Sequence, residues 1–325
     1  MRRREFIAGL GGAVTAWPQI LRAQPLTTPV IGFLDWRAPA PYPNHAAFRQ
    51  GLAQAGYVEG DNVTIQYRWG NANSARLPPL AADLVDRGVA VIVTFFAIQA
   101  SLAAKAATQT IPIVFVYGGD PVKDGLVASL SRPGGNITGV TFVNTELTGK
   151  RLSLLGDLMP RLGLVGFLSG DASYLRYEEQ KSQILAAARA LDRQVIIVET
   201  RGDRGYEAAF RTLVERQAAA LIVGPFAFPN TNKIVALAAL HKIPTIYPDS
   251  NYVRDGGLMS YGADVTDLNL RAAAYTVRIL SGEKPSDLPV LQATKFGVAI
   301  NLKTAKTLGL EIPRILLVQA NEVIE

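Results

Sequence analysis

Residues Ile111 to Thr141, IPIVFVYGGDPVKDGLVASLSRPGGNITGVT, decide the fold. The run Ile113 to Tyr117 is β-branched and aromatic throughout, with no polar alternation. Such a run reads as a strand buried on both faces of a parallel sheet. It halts at Gly118-Gly119-Asp120-Pro121. Ligands of open parallel sheets collect beyond the carboxyl ends of the strands, and glycines there let a ligand approach the backbone closely. The stretch therefore marks the mouth of a site.

The design recurs further along. Ile243-Pro244-Thr245-Ile246-Tyr247, then Asp249 and Gly257-Leu258-Met259, echoes Ile111-Pro112-Ile113-Val114-Phe115, then Asp120 and Gly125-Leu126-Val127. Ile31-Gly32-Phe33-Leu34 matches Val165-Gly166-Phe167-Leu168, Val63 matches Val195, and Val91-Ile92-Val93 matches Leu221-Ile222-Val223. Four ordered strand signals at spacings of about 130 residues indicate two copies of one αβ unit.

Helical stripes lie between the strands, and they include Phe48, Leu52 and Ala55; Leu77, Leu80, Ala81, Leu84 and Val85; and the alanine-rich run from Gln99 to Thr108. In the second copy they fall at Ile184, Leu185, Ala188 and Leu191, and at Tyr206, Phe210, Leu213 and Val214. Alternating strands and helices predict an α/β fold of two lobes, each with a parallel sheet joined by right-handed crossovers. Asn144 to Pro160 reads as the link between copies. After the stripe Leu270, Ala273, Ala274, Val277 and Leu280, a strand over Lys295 to Ile300 leads to a short helix and an irregular tail.

With 325 residues, 49% of them hydrophobic and 18% charged, the chain has the composition of a soluble globular protein. Met1 to Ala23 has an arginine-rich start and an apolar stretch from Phe6 to Trp17, with Leu21-Arg22-Ala23 before Gln24. This is the layout of an export signal cleaved near Ala23, and its apolar part is too short to span a bilayer. Arg3-Arg4-Glu5-Phe6-Ile7 leaves both the twin-arginine and the general route open. Cleavage removes four arginines and one glutamate, so the net charge falls from +6 to +3, which gives little support to nucleic-acid binding. There is no cysteine, and the only histidines are His45 and His241, each read as a plain helix residue. Disulfides, thiol catalysis, a zinc site and a histidine triad are thereby disfavoured, and no cofactor or metal is expected. Nor is there a G-x-G-x-x-G after the first strand, a Walker loop or a G-x-S-x-G elbow, so an enzyme is not expected.

Asp120-Pro121, Gly125-Leu126-Val127, Pro133 to Gly139, Tyr261-Gly262 and the closing run Leu280 to Glu325 resemble the ABC transporter substrate-binding proteins of the tryptophan/tyrosine-binding type. The most specific pieces are Lys284 to Val290, Asn301 to Lys306 and Glu322-Val323-Ile324-Glu325. The resemblance covers the whole mature chain. It implies a class I periplasmic binding protein fold, two Rossmann-like lobes with a cleft between them, in a periplasmic protein; a monomer is expected. It also implies a small-molecule solute held in the cleft by hinge closure, and delivery to a membrane permease driven by a separate ATPase. The lobes would then be 28–143 with 264–286, and 144–263 with 287–325. A ligand-sensing module docked on a receptor is the alternative, and a Rossmann-type enzyme a more distant one.

A clamp of this kind needs groups at strand ends in both lobes. From the first lobe the candidates are Asp35, Trp36, Phe95, Phe96, Gln99, Tyr117, Asp120 and Thr141, and from the second Ser169, Phe226, Asp249 and Tyr252. The helix starting near Gln99 would offer free backbone N–H groups to a carboxylate, an aspartate could hold an ammonium, and aromatics could stack on a flat side chain. Asp120 before Pro121 fits a helix cap as well as a ligand contact. Phe95 and Phe96 could equally be core. Trp36 is the preferred aromatic, since a proline-rich turn follows it. Where the resembled family has a small turn after the third strand, Phe95-Phe96-Ala97 implies a smaller or more apolar pocket.

Overall fold

The computed structural model describes residues 28–39, 43–142, 147–170, 176–200, 205–225 and 231–325. The expected export signal and Phe226 lie outside the described residues.

Strands β1 (Val30–Asp35), β2 (Thr64–Trp69), β3 (Val91–Phe96), β4 (Ile113–Tyr117) and β5 (Ile137–Thr141) form the first sheet. All pair in parallel, in the order β2-β1-β3-β4-β5. The second sheet repeats that order with β6 (Val165–Gly170), β7 (Val195–Thr200), β8 (Ala220–Val223), β9 (Thr245–Tyr247) and β10 (Met259–Ala263), as β7-β6-β8-β9-β10. The internal repeat thus extends to a fifth strand in each lobe. Each fifth strand carries a glycine pressed on neighbouring backbone. A Cβ on Gly139 would lie 2.1 Å from the Phe115 carbonyl oxygen, and one on Gly262 would lie 1.9 Å from that of Pro248.

Helices α1 (Pro43–Gln54), α2 (Leu77–Asp86) and α3 (Ile98–Ala107) belong to the first sheet. Phe48 and Leu52 of α1 are buried with Phe33 and Phe95 on one face, while Leu77, Ala81 and Leu84 of α2 fill the other. Each such fully buried Leu or Phe side chain contributes about 1.5–3 kcal/mol relative to exposure. Ala55 falls beyond α1 and is exposed.

The presumed link of Asn144 to Pro160 instead contains α4 (Thr148–Leu158), which buries Leu152, Leu154, Leu155 and Leu158 in the second lobe. Gly149 and Gly156 in this helix blur the apolar stripe that would have marked it. The rest of the second lobe comprises α5 (Tyr177–Ala190), α6 (Tyr206–Glu215), α7 (Thr231–Leu240) and the short α8 (Ser250–Arg254).

The chain then returns to the first lobe as α9 (Val265–Leu280), which packs on α1. The approach is close, because a Cβ on Gly51 would meet that of Ala273 at 2.6 Å. Next, β11 (Leu291–Gln292) joins β5 in parallel, and Leu288 and Val290 enter the first lobe's cores. Thr138 Oγ1 donates to the Leu288 carbonyl at 2.7 Å, and Val290 N to that of Leu130 at 2.7 Å. Residues 288–292 therefore lie with the first lobe, past the boundary expected at 286. The chain end is ordered where an irregular tail was expected. Strand β12 (Phe296–Asn301) runs antiparallel to β10, and α10 (Leu302–Thr307), α11 (Arg314–Gln319) and the edge strand β13 (Ala320–Ile324) complete the second lobe. The chain thus passes between lobes three times, after β5, β10 and β11.

Candidate functional site

The carboxyl ends of β3, β4 and β5 place Phe96, Tyr117 and Thr141 side by side in register. Asp35 ends β1 nearby and is fully buried. Its Oδ1 accepts from the Arg37 backbone N–H at 2.9 Å and from Nε at 3.1 Å, and its Oδ2 from Nη2 at 2.7 Å. Burial alone would raise the Asp35 pKa. The Arg37 charge, aided by His45 and the Arg37 hydrogen bonds, overcomes this and holds the carboxyl well below the usual carboxylate range. The guanidinium lies 5.1 Å from the centroid of the Phe96 ring, a cation–π distance.

Phe96 takes φ +62°, a left-handed conformation uncommon for an aromatic residue. The turn it makes leaves its ring half-buried and 6.0 Å from Phe142. Phe95 is fully buried in the core, stacked on Phe33 at 5.1 Å and 5.9 Å from the Phe96 ring. Ala97 then caps α3 without a side-chain acceptor, and Gln99 is half-buried in the helix's first turn. The first-turn N–H groups of a helix lack intrahelical acceptors and suit an anion, although Ala100 N here donates to the Ala97 carbonyl at 3.2 Å.

The other first-lobe candidates have local partners. Trp36 donates from Nε1 to Ser74 Oγ at 3.1 Å and packs with the α2-side core, apart from the Phe96 face. Tyr117 donates from its hydroxyl to Asp124 Oδ2 at 2.5 Å; burial and this carboxylate push its pKa up. Asp120 caps the following turn, accepting from Val122 N at 3.0 Å and Lys123 N at 3.1 Å. Thr141 Oγ1 donates to the Gly119 carbonyl at 2.6 Å, fixing the glycine pair.

On the second lobe, Asp249 follows β9 and caps α8, accepting from Asn251 N at 2.9 Å. Burial raises its pKa, while the Asn251 N–H and the charges of Arg37 and Arg151 pull the other way. Arg37 belongs to the first lobe, so its influence on Asp249 crosses the cleft. Arg151 on α4 is fully buried and donates from Nε to the Tyr261 carbonyl at 2.8 Å. Its pKa comes down to about 10 through burial, against the opposing pull of Asp249. Ser169 is buried and donates to the Gly170 carbonyl at 2.8 Å, and Tyr252 is buried in a stack on Tyr247 at 4.8 Å.

Arg37 thus contacts Asp35 and Phe96 and acts electrostatically on Asp249, Tyr252 acts on Arg151, and Trp36 is turned to Ser74. Sequence reasoning missed Arg37, Arg151 and Trp69, and it treated His45 as an ordinary helix residue. The His45 ring sits edge-on to Phe33 at 4.6 Å and 5.2 Å from Trp69, with Nε2 3.7 Å from Asp35 Oδ2. Position beside a strand end could have flagged Arg37. Nothing local marks Arg151. Asp35, Arg37, Asp249 and Arg151 thus form a series of alternating charges that act on one another in turn, with Phe96 beside Arg37. Among the described residues, no group of three or more His, Cys, Asp and Glu could hold a metal ion.

The family model for ABC transporter substrate binding protein matches residues 34–324. A Tyrosine-binding protein of Clostridioides difficile (strain R20291) is 26% identical over 275 residues, 81% of this chain and 76% of that one. The crystal structure of the ABC domain in complex with L-Trp from Streptococcus pneumonia is 25% identical, with a TM-score of 0.79 over 92% of this chain and 100% of that one. A conserved domain protein from Vibrio cholerae shares the fold at 24% identity, with a TM-score of 0.79 over 91% of this chain and 99% of that one. The two-lobed fold of the class I periplasmic binding type, expected from the repeat and the resemblance, is the fold observed.

Proposed function

The chain belongs to the ABC transporter substrate-binding protein family, and from that premise we propose that it captures an α-amino acid with a flat apolar side chain. It hands this solute to a membrane permease powered by a separate ATPase, after export to the periplasm and cleavage near Ala23. The observation that carries the reading is the cross-cleft group of Arg37 and Phe96 on one lobe and Asp249 on the other. A zwitterion suits it. The solute carboxylate meets Arg37 and the open N-terminus of α3, its ammonium meets Asp249, and its ring lies on Phe96. The tyrosine- and tryptophan-linked relatives support the same solute class.

A thermal-shift screen of the mature chain against amino acids, aromatic acids, purines and sugars tests this. An aromatic amino acid at a hundredfold excess over its Kd should stabilise by about 2.7 kcal/mol. The matching decarboxylated amine and N-acetyl derivative should bind far more weakly, as should the amino acid to Asp249→Asn. A neutral sugar as the best ligand, or full affinity of the N-acetyl derivative, would refute the assignment.

A further inference from the structure

Away from the alternating charge row, a second polar group joins the lobes through protein atoms alone. Arg176 Nε lies 3.1 Å from Asp124 Oδ2 and 3.2 Å from Oδ1, and the two side chains are only 9% and 6% exposed. Asp124 belongs to the first lobe, on the turn after β4. That turn is tied to α3 by Lys105 Nζ, which donates to the Gly125 carbonyl at 2.6 Å. The Tyr117 hydroxyl fixes the Asp124 carboxylate from behind. Arg176 belongs to the second lobe, immediately before α5, whose Ile184 and Ala188 are in that lobe's core. Its Nη1 lies 3.1 Å from Glu179 Oε2, and its backbone is left-handed at φ +74°. The cation is therefore aimed by its own helix at a carboxylate held rigid on the opposite lobe.

We propose that Asp124 and Arg176 form a latch that holds the two lobes closed independently of any solute. Opening the cleft separates a buried, hydrogen-bonded ion pair, with Tyr117 staying on Asp124 and Glu179 on Arg176, a cost the hinge alone would not impose. The latch sets the closed fraction of the free protein. Apparent solute affinity scales with the population of the competent conformation, so it is also tuned here, outside the solute contacts.

The chain contains no cysteine, so paired spin labels at Arg132→Cys and Ser182→Cys, both exposed positions on opposite lobes, report the interlobe distance cleanly. The measurement uses the mature chain without solute, so it stands whether or not the amino-acid reading is correct. The parent background should give a dominant short distance. Asp124→Asn and Arg176→Gln should each move the population to longer distances, with a fall of about tenfold or more in the closed-to-open ratio, the scale of one charge-assisted hydrogen bond. Glu283→Gln, which breaks an exposed pair with Arg278 inside the first lobe, should change nothing. Circular dichroism confirms that each variant is folded, and either of the two latch variants suffices. A folded latch variant with the parent's distance distribution would overturn the proposal.

Discussion

Replacing Arg151 by methionine tests the electrostatic row at its most buried point. Methionine retains much of the aliphatic packing and removes the charge and its hydrogen bonds. Arg151 is fully buried, donates to the Tyr261 carbonyl at 2.8 Å and opposes the charge of Asp249. Removing one partner of a buried charged group typically costs about 3–5 kcal/mol, because the other is left uncompensated. Part of that is returned here, since a buried guanidinium no longer has to be desolvated, so about 3 kcal/mol is expected at neutral pH. At about 2–4 °C per kcal/mol for a lobe of this size, Tm falls by roughly 6–12 °C. The pH dependence distinguishes this account from simple loss of packing. Asp249 already has a raised folded pKa, and without Arg151 it rises further. A carboxyl with a raised folded pKa binds its proton more tightly in the folded state, so stability falls as pH rises through the interval between the unfolded and folded values. The deficit of Arg151→Met should therefore be largest near neutrality and shrink towards about pH 4. It should also shrink in an Asp249→Asn background. Urea denaturation of the four proteins of this double-mutant cycle, at both pH values, provides the measurement. A deficit unchanged by pH and by Asp249→Asn would refute the reasoning.

Asp35 has a depressed folded pKa, so its stabilising contribution is complete above the ordinary value of 3.8 and is shed as pH falls below it. Arg37→Gln should abolish that acid-side slope in urea midpoints and destabilise the protein at neutral pH. Gly139→Ala and Gly262→Ala should each cost more than about 2 kcal/mol by forcing a Cβ onto strand backbone. Gly156→Ala in α4, where the nearest atom is 3.6 Å away, should stabilise by about 0.5–1 kcal/mol, and thermal unfolding of the three proteins compares them. Phe96→Gly should weaken solute binding by calorimetry while changing stability by less than about 1 kcal/mol, because release of the left-handed strain offsets lost ring burial.

The four strands legible in each copy are marked by β-branched, aliphatic or aromatic residues. The fifth of each, Ile137–Thr141 and Met259–Ala263, was not legible because close sheet packing there calls for glycine and small polar residues, which read as loop. Helix α4 was hidden by its glycines. In the site, strand-end position found Asp35, Phe96 and Asp249. It could not tell that Trp36 turns to Ser74, because alternation at a strand end is lost once the chain leaves the sheet. Arg151, Asp124 and Arg176 were invisible for a simpler reason. The pairs that matter, Asp124 with Arg176 and Arg151 with the Tyr261 carbonyl, are 52 and 110 residues apart in sequence, and no local periodicity encodes them.

Helix α9, which covers Phe48 and Leu52, is residues 265–280, and β11 comes later still. During synthesis the amino-terminal half therefore leaves the ribosome with one flank of its sheet covered by α1 alone, and it stays so until the ten repeated strands have all emerged. A nascent chain interrupted at residue 264 retains this sticky flank. Completion of the earlier-made half waits on the later-made one, which keeps a large share of the molecule unfinished until translation is nearly over.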